Sequence, residues 1–397
     1  MLSDLLAHAE DISWPVAVAL AWIVGELGHR LTSLPRISLY GLVGFGLAST
    51  QIGLLPPSDA GGNAMLMANV AFGLILFEFG YRINLRWLRT NPWLGASGIL
   101  EAGATFVLVY VAARAFGTPV VASLLLASLA MSTSPAAVMR VINEERSAGQ
   151  VTERVMHLTA VNCVLSVFVF KVIVGFWTFQ TSGNVWQAVS TSLTVLAASV
   201  ALGGAFGVLV PALLRRVGRL TRDTTVGFAI GVILLVAIAH TFKFSPVLAA
   251  LTFGLVARHR RVVMNQTQRN FGALGDLLVV LLFVVVAATI DWHRAWTGLG
   301  LALALIAIRL VTKVAVVGAF AHVSGISWRK GLLTGLAMTP ISVFVILLLE
   351  QTRHLGIDLV DQLAPLAAAT ILLELLGPVV TQRALIAAGE SSVATRG

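Results

Sequence analysis

Two short stretches, "LAMSTSPAAV" at 129–138 and "LAMTPISVFV" at 336–345, set hydroxyl side chains and a proline inside long apolar runs. Proline lacks the backbone donor and obstructs the carbonyl one turn back, so Pro135 and Pro340 each free polar backbone groups. Within hydrocarbon, those groups need a partner from protein, water or ion. Ser132, Thr133 and Ser134 precede the first proline, and Thr334, Thr339 and Ser342 surround the second. Oxygen ligands at two helix ends, each end carrying about half a unit of charge, are the makings of a small-ion site. Taken singly, each proline reads as a kink in a transmembrane helix; the matched position and sequence favour a functional pair.

Further costly residues lie between the two prolines. "LTAVNCVLSVFVFKV" carries Asn162, Cys163, Ser166 and Lys171, and "IAIRLVTKV" carries Arg309 and Lys313. A charge at the centre of a span costs at least about 3 kcal/mol, so Arg309, close to mid-span, reads as functional. Lys171 and Lys313 lie nearer the span ends, where a lysine can instead snorkel to the interface. Glu101 and Glu374 also fall within spans, and a buried carboxylate must be paired or protonated. Glu26 and Asp276 read as interfacial, Glu78 as a partner of neighbouring arginines at the membrane surface, and His157 as a surface histidine.

The elements that must hold these residues are membrane helices. The chain has 397 residues, 57% of them hydrophobic and 11% charged, with a mean hydropathy of +0.90. A soluble domain does not carry that composition. A span takes about 20 apolar residues, and about thirteen candidates are centred near residues 20, 45, 72, 103, 128, 166, 200, 232, 250, 282, 308, 338 and 371. The ninth, between Phe244 and Arg258, is short. No Ala-x-Ala cleavage site precedes the first span, which is therefore expected to be retained. The single cysteine excludes a disulfide framework and a Cys-based metal site.

The net charge of +9 is a topology signal rather than a nucleic-acid footprint. With the loops numbered alternately, 20 basic residues fall on one side and 4 on the other, the remaining three lying within spans. The positive-inside rule makes the basic side cytoplasmic, with the N-terminus outside and the C-terminus inside. Loops are short, so no soluble domain is expected. The glycines of "GLVGFG" lie inside a span and follow no strand, which excludes a nucleotide-binding loop. Intramembrane proteolysis finds no paired aspartates and no Cys/His pairing at depth, so the chain is expected to be a transporter rather than an enzyme.

Residues 12–178 and 223–386 read as two copies of one six-span unit, joined by a connector helix at about 185–215. An odd number of crossings separates equivalent spans, so the second copy enters the membrane from the opposite side. Paired broken helices in an inverted repeat mark a transport site. The expected fold is all-α: a polytopic membrane protein with inverted-topology repeats and two broken crossing helices.

This layout resembles the monovalent cation:proton antiporter superfamily, which contains the bacterial sodium/proton antiporters and the Kef-type potassium efflux systems. The resemblance covers nearly the whole chain and rests on order and spacing. "STSPAAV" looks like the family's first break, "FGALGDLLVVLLFVVVAATIDW" like a Kef-type segment ending in a short acidic turn, and "ILLELLGPVVTQRAL" like the final span. It implies exchange of sodium or potassium for protons by alternating access, without a cofactor, in a homodimer within a bacterial-type inner membrane. Carried over by residue, Thr133 and Ser134 line the first break, Thr339 the second, Asn162 opens the Asn-Asp pair, and Arg309 neutralises the crossing. An alkali cation is then expected on Thr133, Asn162 and Thr339, with Glu101, Lys171, Lys313 and Glu374 as secondary candidates.

Two positions depart from that pattern. Where the family generally has an ion-binding aspartate, this chain has Cys163, and where some members have a second, it has Ser134. A thiol is a poor ligand for a hard alkali ion. The sequence leaves three explanations open: another carboxylate couples the protons, coupling is lost, or the cysteine is an introduced replacement. An uncoupled or differently coupled transporter, for example of an organic anion drawn to Arg309 and Lys313, is the alternative reading.

Overall fold

The computed structural model describes residues 2–49, 51–55, 63–179, 185–217, 224–260, 271–289, 296, 298–342 and 364–393, and all regular structure among them is helical. The order is α1 (Leu2–Thr32), α2 (Arg36–Leu47), α3 (Asn63–Arg82), α4 (Leu85–Thr90), α5 (Pro92–Ala115), α6 (Val120–Ala130) and α7 (Pro135–Glu144). Then come α8 (Gln150–Phe179), α9 (Val185–Val217), α10 (Thr224–Thr241), α11 (Pro246–His259), α12 (Gly272–Ala288), α13 (Leu299–Ala319), α14 (Trp328–Ala337) and α15 (Ala364–Ala387).

Among the described residues, seven stretches are long and apolar enough to cross a membrane, and α2, α10, α11 and α12 are shorter apolar helices. The expected count of about thirteen is not reached on length and composition because several crossings are short or interrupted. The far half of the twelfth expected span, after Ser342, lies outside the described residues, as does the acidic end of the "ATIDW" segment.

Two groups of packed helices organise the described chain. In one, α3 packs on α10, α11 and α12, and α11 also packs on α9. Phe77 sits at its centre, with ring centroids of Phe253, Phe228 and Phe271 at 4.7, 5.2 and 5.8 Å. In the other, α5, α6, α8, α13, α14 and α15 pack on one another, and all the residues singled out for ion chemistry lie here. Outward faces such as Val107, Leu108 and Val111 on α5, or Ile230, Ile233 and Leu234 on α10, are apolar and exposed. With no apolar solvent beyond them these faces would be a liability, and lipid is the solvent that suits them.

Helix α8, which carries Asn162 and Cys163, has its start fixed by a carboxylate. Glu390 accepts from the backbone N–H groups of Val151 and Thr152, each at 2.9 Å. These are donors that a helix N-terminus leaves unpaired, and the charge complements the helix dipole.

Candidate ion-binding site at the helix crossing

The first break is a clean stop and restart. Helix α6 ends at Ala130, and α7 begins with Pro135 at its first position, where a missing N–H costs nothing. Ser134 caps α7 by accepting from the Ala137 N–H at 3.2 Å. Helix α14 ends at Ala337, with Met338 and Thr339 closing it through turn bonds to Gly335 and Leu336. The two breaks touch through the backbone: the Ser134 N–H donates to the Pro340 carbonyl at 3.0 Å, and the Thr133 hydroxyl to the Met338 carbonyl at 3.4 Å. Gly335 lets α14 lie close against α13, since a Cβ there would lie 2.6 Å from Val314 Cα.

Arg309 on α13, 1% exposed, holds the crossing together. Its Nε donates to the Ala130 carbonyl at 2.6 Å, Nη2 to Ser132 at 2.6 Å and Nη1 to Thr339 at 3.1 Å. Those carbonyls are the negative ends of α6 and of α14, so one guanidinium serves two half-helix dipoles.

One turn further along α13 stands Lys313, for which the sequence left a snorkelling position open. Lys313 does not snorkel: it is 0% exposed and forms a 2.7 Å ion pair with Glu101 of α5. Lys313 lies at i+4 from Arg309 and shares its inward face. The same ammonium donates to the Thr133 hydroxyl at 3.2 Å and the Met131 carbonyl at 3.4 Å. Glu101 is held on its other sides by Asn162 Nδ2 at 2.7 Å and by the Thr105 hydroxyl at 3.1 Å. Thr105 was missed, although its i+4 spacing from Glu101 on α5 was the signal.

Thr133 is saturated, accepting from Lys313 and from Asn162 Nδ2 at 3.3 Å while donating to Met338. Asn162 retains one free group: its Oδ1 is buried without a hydrogen-bond partner. Glu101, Thr133, Asn162 and Lys313 therefore form a single buried node. Cys163, 0% exposed, borders it and donates its thiol to the Thr133 carbonyl at 3.3 Å.

The other expected residues stand differently. Thr339 enters through its carbonyl, which Arg309 takes, while its hydroxyl donates back to the Leu336 carbonyl. Its side chain is thus occupied within its own turn. Lys171 lies nine residues beyond Asn162 on α8, about 13 Å along the axis, and is no part of the node. His157 is not a surface histidine: it is 1% exposed, accepts from the Asn84 N–H at 3.1 Å and packs on Trp87 at 4.7 Å. Glu78 pairs with Arg82 at 3.0 Å, and Asp276 is an exposed partner of Arg140. Glu374 is buried on α15 with neither carboxylate oxygen bonded.

The comparisons with known proteins follow this geometry. Residues 16–387 match the family model described as "Sodium/hydrogen exchanger, transmembrane". The chain belongs to that family. Among solved structures, it is similar to the sodium proton antiporter MjNhaP1 from Methanocaldococcus jannaschii at pH 8. The TM-score is 0.74 at 16% identity, over 95% of this chain and 99% of that one. A second structure of MjNhaP1, from electron microscopy, gives 0.72 at 16% identity over 98% and 96% of the two chains. These likenesses show the fold. A curated relative, the "Iron transporter MagA" of Paramagnetospirillum magneticum, is 22% identical over 94% of this chain and 85% of that protein. The family and fold are those of a multi-pass membrane transporter.

Proposed function

We propose that the protein exchanges a monovalent cation, sodium or potassium, for protons by alternating access, with the buried node as its ion site. The observation that carries this reading is the position of the Lys313 ammonium. Its three oxygen partners, from Glu101, Thr133 and Met131, are a carboxylate, a hydroxyl and a backbone carbonyl at a broken helix end. That ligand set suits an alkali cation, so Lys313 occupies the site as an internal substitute for the transported ion.

Competition follows directly. A cation that binds Glu101 and Thr133 displaces the ammonium, and Asn162 Oδ1 is at hand as a further ligand. A displaced ammonium in a dry interior is costly unless it sheds its charge, so Lys313 gives up its proton as the cation arrives. One charge enters as one leaves. In this reading Glu101 takes the role that Cys163 cannot perform, and Arg309, with its donors committed to backbone carbonyls, holds the frame. An organic anion finds no free charge at either residue, since Lys313 is paired and Arg309 is engaged.

The repeats at 12–178 and 223–386 each give helices to both packed groups, and in this reading the group that holds the crossing slides against the other. The basic-residue asymmetry supports an N-terminus outside and a C-terminus in the cytoplasm of a bacterial-type inner membrane. A homodimer rests on the superfamily resemblance alone. The test is proton flux in proteoliposomes carrying a pH-sensitive dye, with sodium, potassium or no added alkali cation. Flux that needs one of the two cations supports exchange; flux indifferent to both removes it.

A further inference from the structure

Glu374 lies near the midpoint of α15, and neither of its carboxylate oxygens has a hydrogen-bond partner although the residue is only 5% exposed. A carboxyl so placed is neutralised by a proton or by a bound cation. The packing of α15 shows where it stands. Thr381 donates to the Ala337 carbonyl at 3.0 Å, and a Cβ on Gly377 would meet Pro340 Cα at 2.7 Å. This face of α15 runs antiparallel to the second break, and one turn beyond Gly377 it carries Glu374 to the level of Ser342. The Ser342 hydroxyl is likewise buried, at 0% exposure, and unpartnered. Pro378, four residues after Glu374, has no N–H to give the Glu374 carbonyl.

Among the described residues, no neighbouring charge answers the carboxylate. Of the elements packed on α15, α13 brings Arg309 and Lys313, committed to the first crossing and to Glu101. On α2, Tyr40 is buried and Arg36 is bonded to Glu26 and Glu144, the latter at the end of α7. Arg140 of α7 pairs with Asp276, and on α14 Arg329 donates to the Ala387 carbonyl and Lys330 to Gln150.

We propose that Glu374 and Ser342 form a second ion station at the second break, where the carboxyl holds a proton when empty and a monovalent cation when ionised. The identity of the ion rests on the exchange reading above. Cation entry releases one proton, so the station is neutral in both states, as a site in hydrocarbon needs to be.

Infrared difference spectra of the purified full-length protein, with choline replaced by sodium or potassium, test this. Cation should remove a protonated-carboxyl signal in the wild type. That change should persist in Glu101→Gln, vanish in Glu374→Gln, and shift to higher cation concentration in Ser342→Ala. Glu374→Asp keeps a carboxyl and should keep the signal with a shifted midpoint, which guards against a fold defect in Glu374→Gln. The same spectral change in Glu374→Gln as in wild type, or none in the wild type, overturns the proposal. Absent flux with a Glu374-dependent spectral change would strike the exchange reading and leave this station standing.

Discussion

The two breaks are built alike but left in different states. At the first, Lys313 bonds to Glu101 and Thr133, and of the named side-chain groups Asn162 Oδ1 is left without a partner. At the second, Ser342 and Glu374 are buried and unbonded. A satisfied polar network rigidifies a core, whereas an unsatisfied group is a standing cost that a ligand can relieve. In the proposed reading the first crossing rests with its own side chain in the site, while the second takes up an ion.

The largest break in that contrast should come from Arg309→Ala. It removes three charge-assisted bonds and leaves two helix ends with unanswered carbonyls, a loss of about 3–5 kcal/mol. Thermal unfolding of the purified protein should show it as failure to fold or a steep fall in melting temperature; a melting temperature like wild type would make Arg309 incidental to the crossing.

Next in size is the ion pair itself. Lys313→Met leaves Glu101 buried and uncompensated, and should cost about 3–5 kcal/mol, whereas Lys313→Met with Glu101→Gln should recover most of the loss. A double-mutant cycle on the melting temperature measures this. Additive effects of the two changes would mean that the 2.7 Å contact carries no coupling.

The smallest effect should belong to Cys163→Ser, which keeps a donor for the Thr133 carbonyl and changes stability by less than about 1 kcal/mol. The thiol, 0% exposed, should also resist small water-soluble thiol reagents while the node is closed, because reaction needs water and a thiolate. Rapid labelling in the absence of cation would place Cys163 on an open water path and blunt the contrast.

Much of the frame was legible in the sequence because apolar runs, prolines and hydroxyls declare themselves locally. Both breaks, Asn162 and Arg309 were reached that way, and the structure brings these four regions together. The partners of Lys313 were not legible. Glu101 and Lys313 stand 212 positions apart, and no local pattern states that α5 and α13 are neighbours. Two short-range signals were there, the i+4 spacings of Arg309 with Lys313 and of Glu101 with Thr105, and each places two polar residues on one inward face. Cys163 drew attention by resemblance, as an aspartate replaced; its geometry shows a capped backbone carbonyl beside a node whose charge is supplied by other helices. Helices α2, α10, α11 and α12 blurred the span count for a plainer reason, being short.

In the proposed exchange Glu101, not the residue at 163, carries the ion. Cation-dependent proton flux in proteoliposomes of the wild type, Glu101→Gln and Cys163→Ser tests it most directly. The account predicts flux at background in Glu101→Gln, which should still be folded by thermal unfolding, and flux close to wild type in Cys163→Ser. Flux retained in Glu101→Gln, or lost in Cys163→Ser alone, would contradict it.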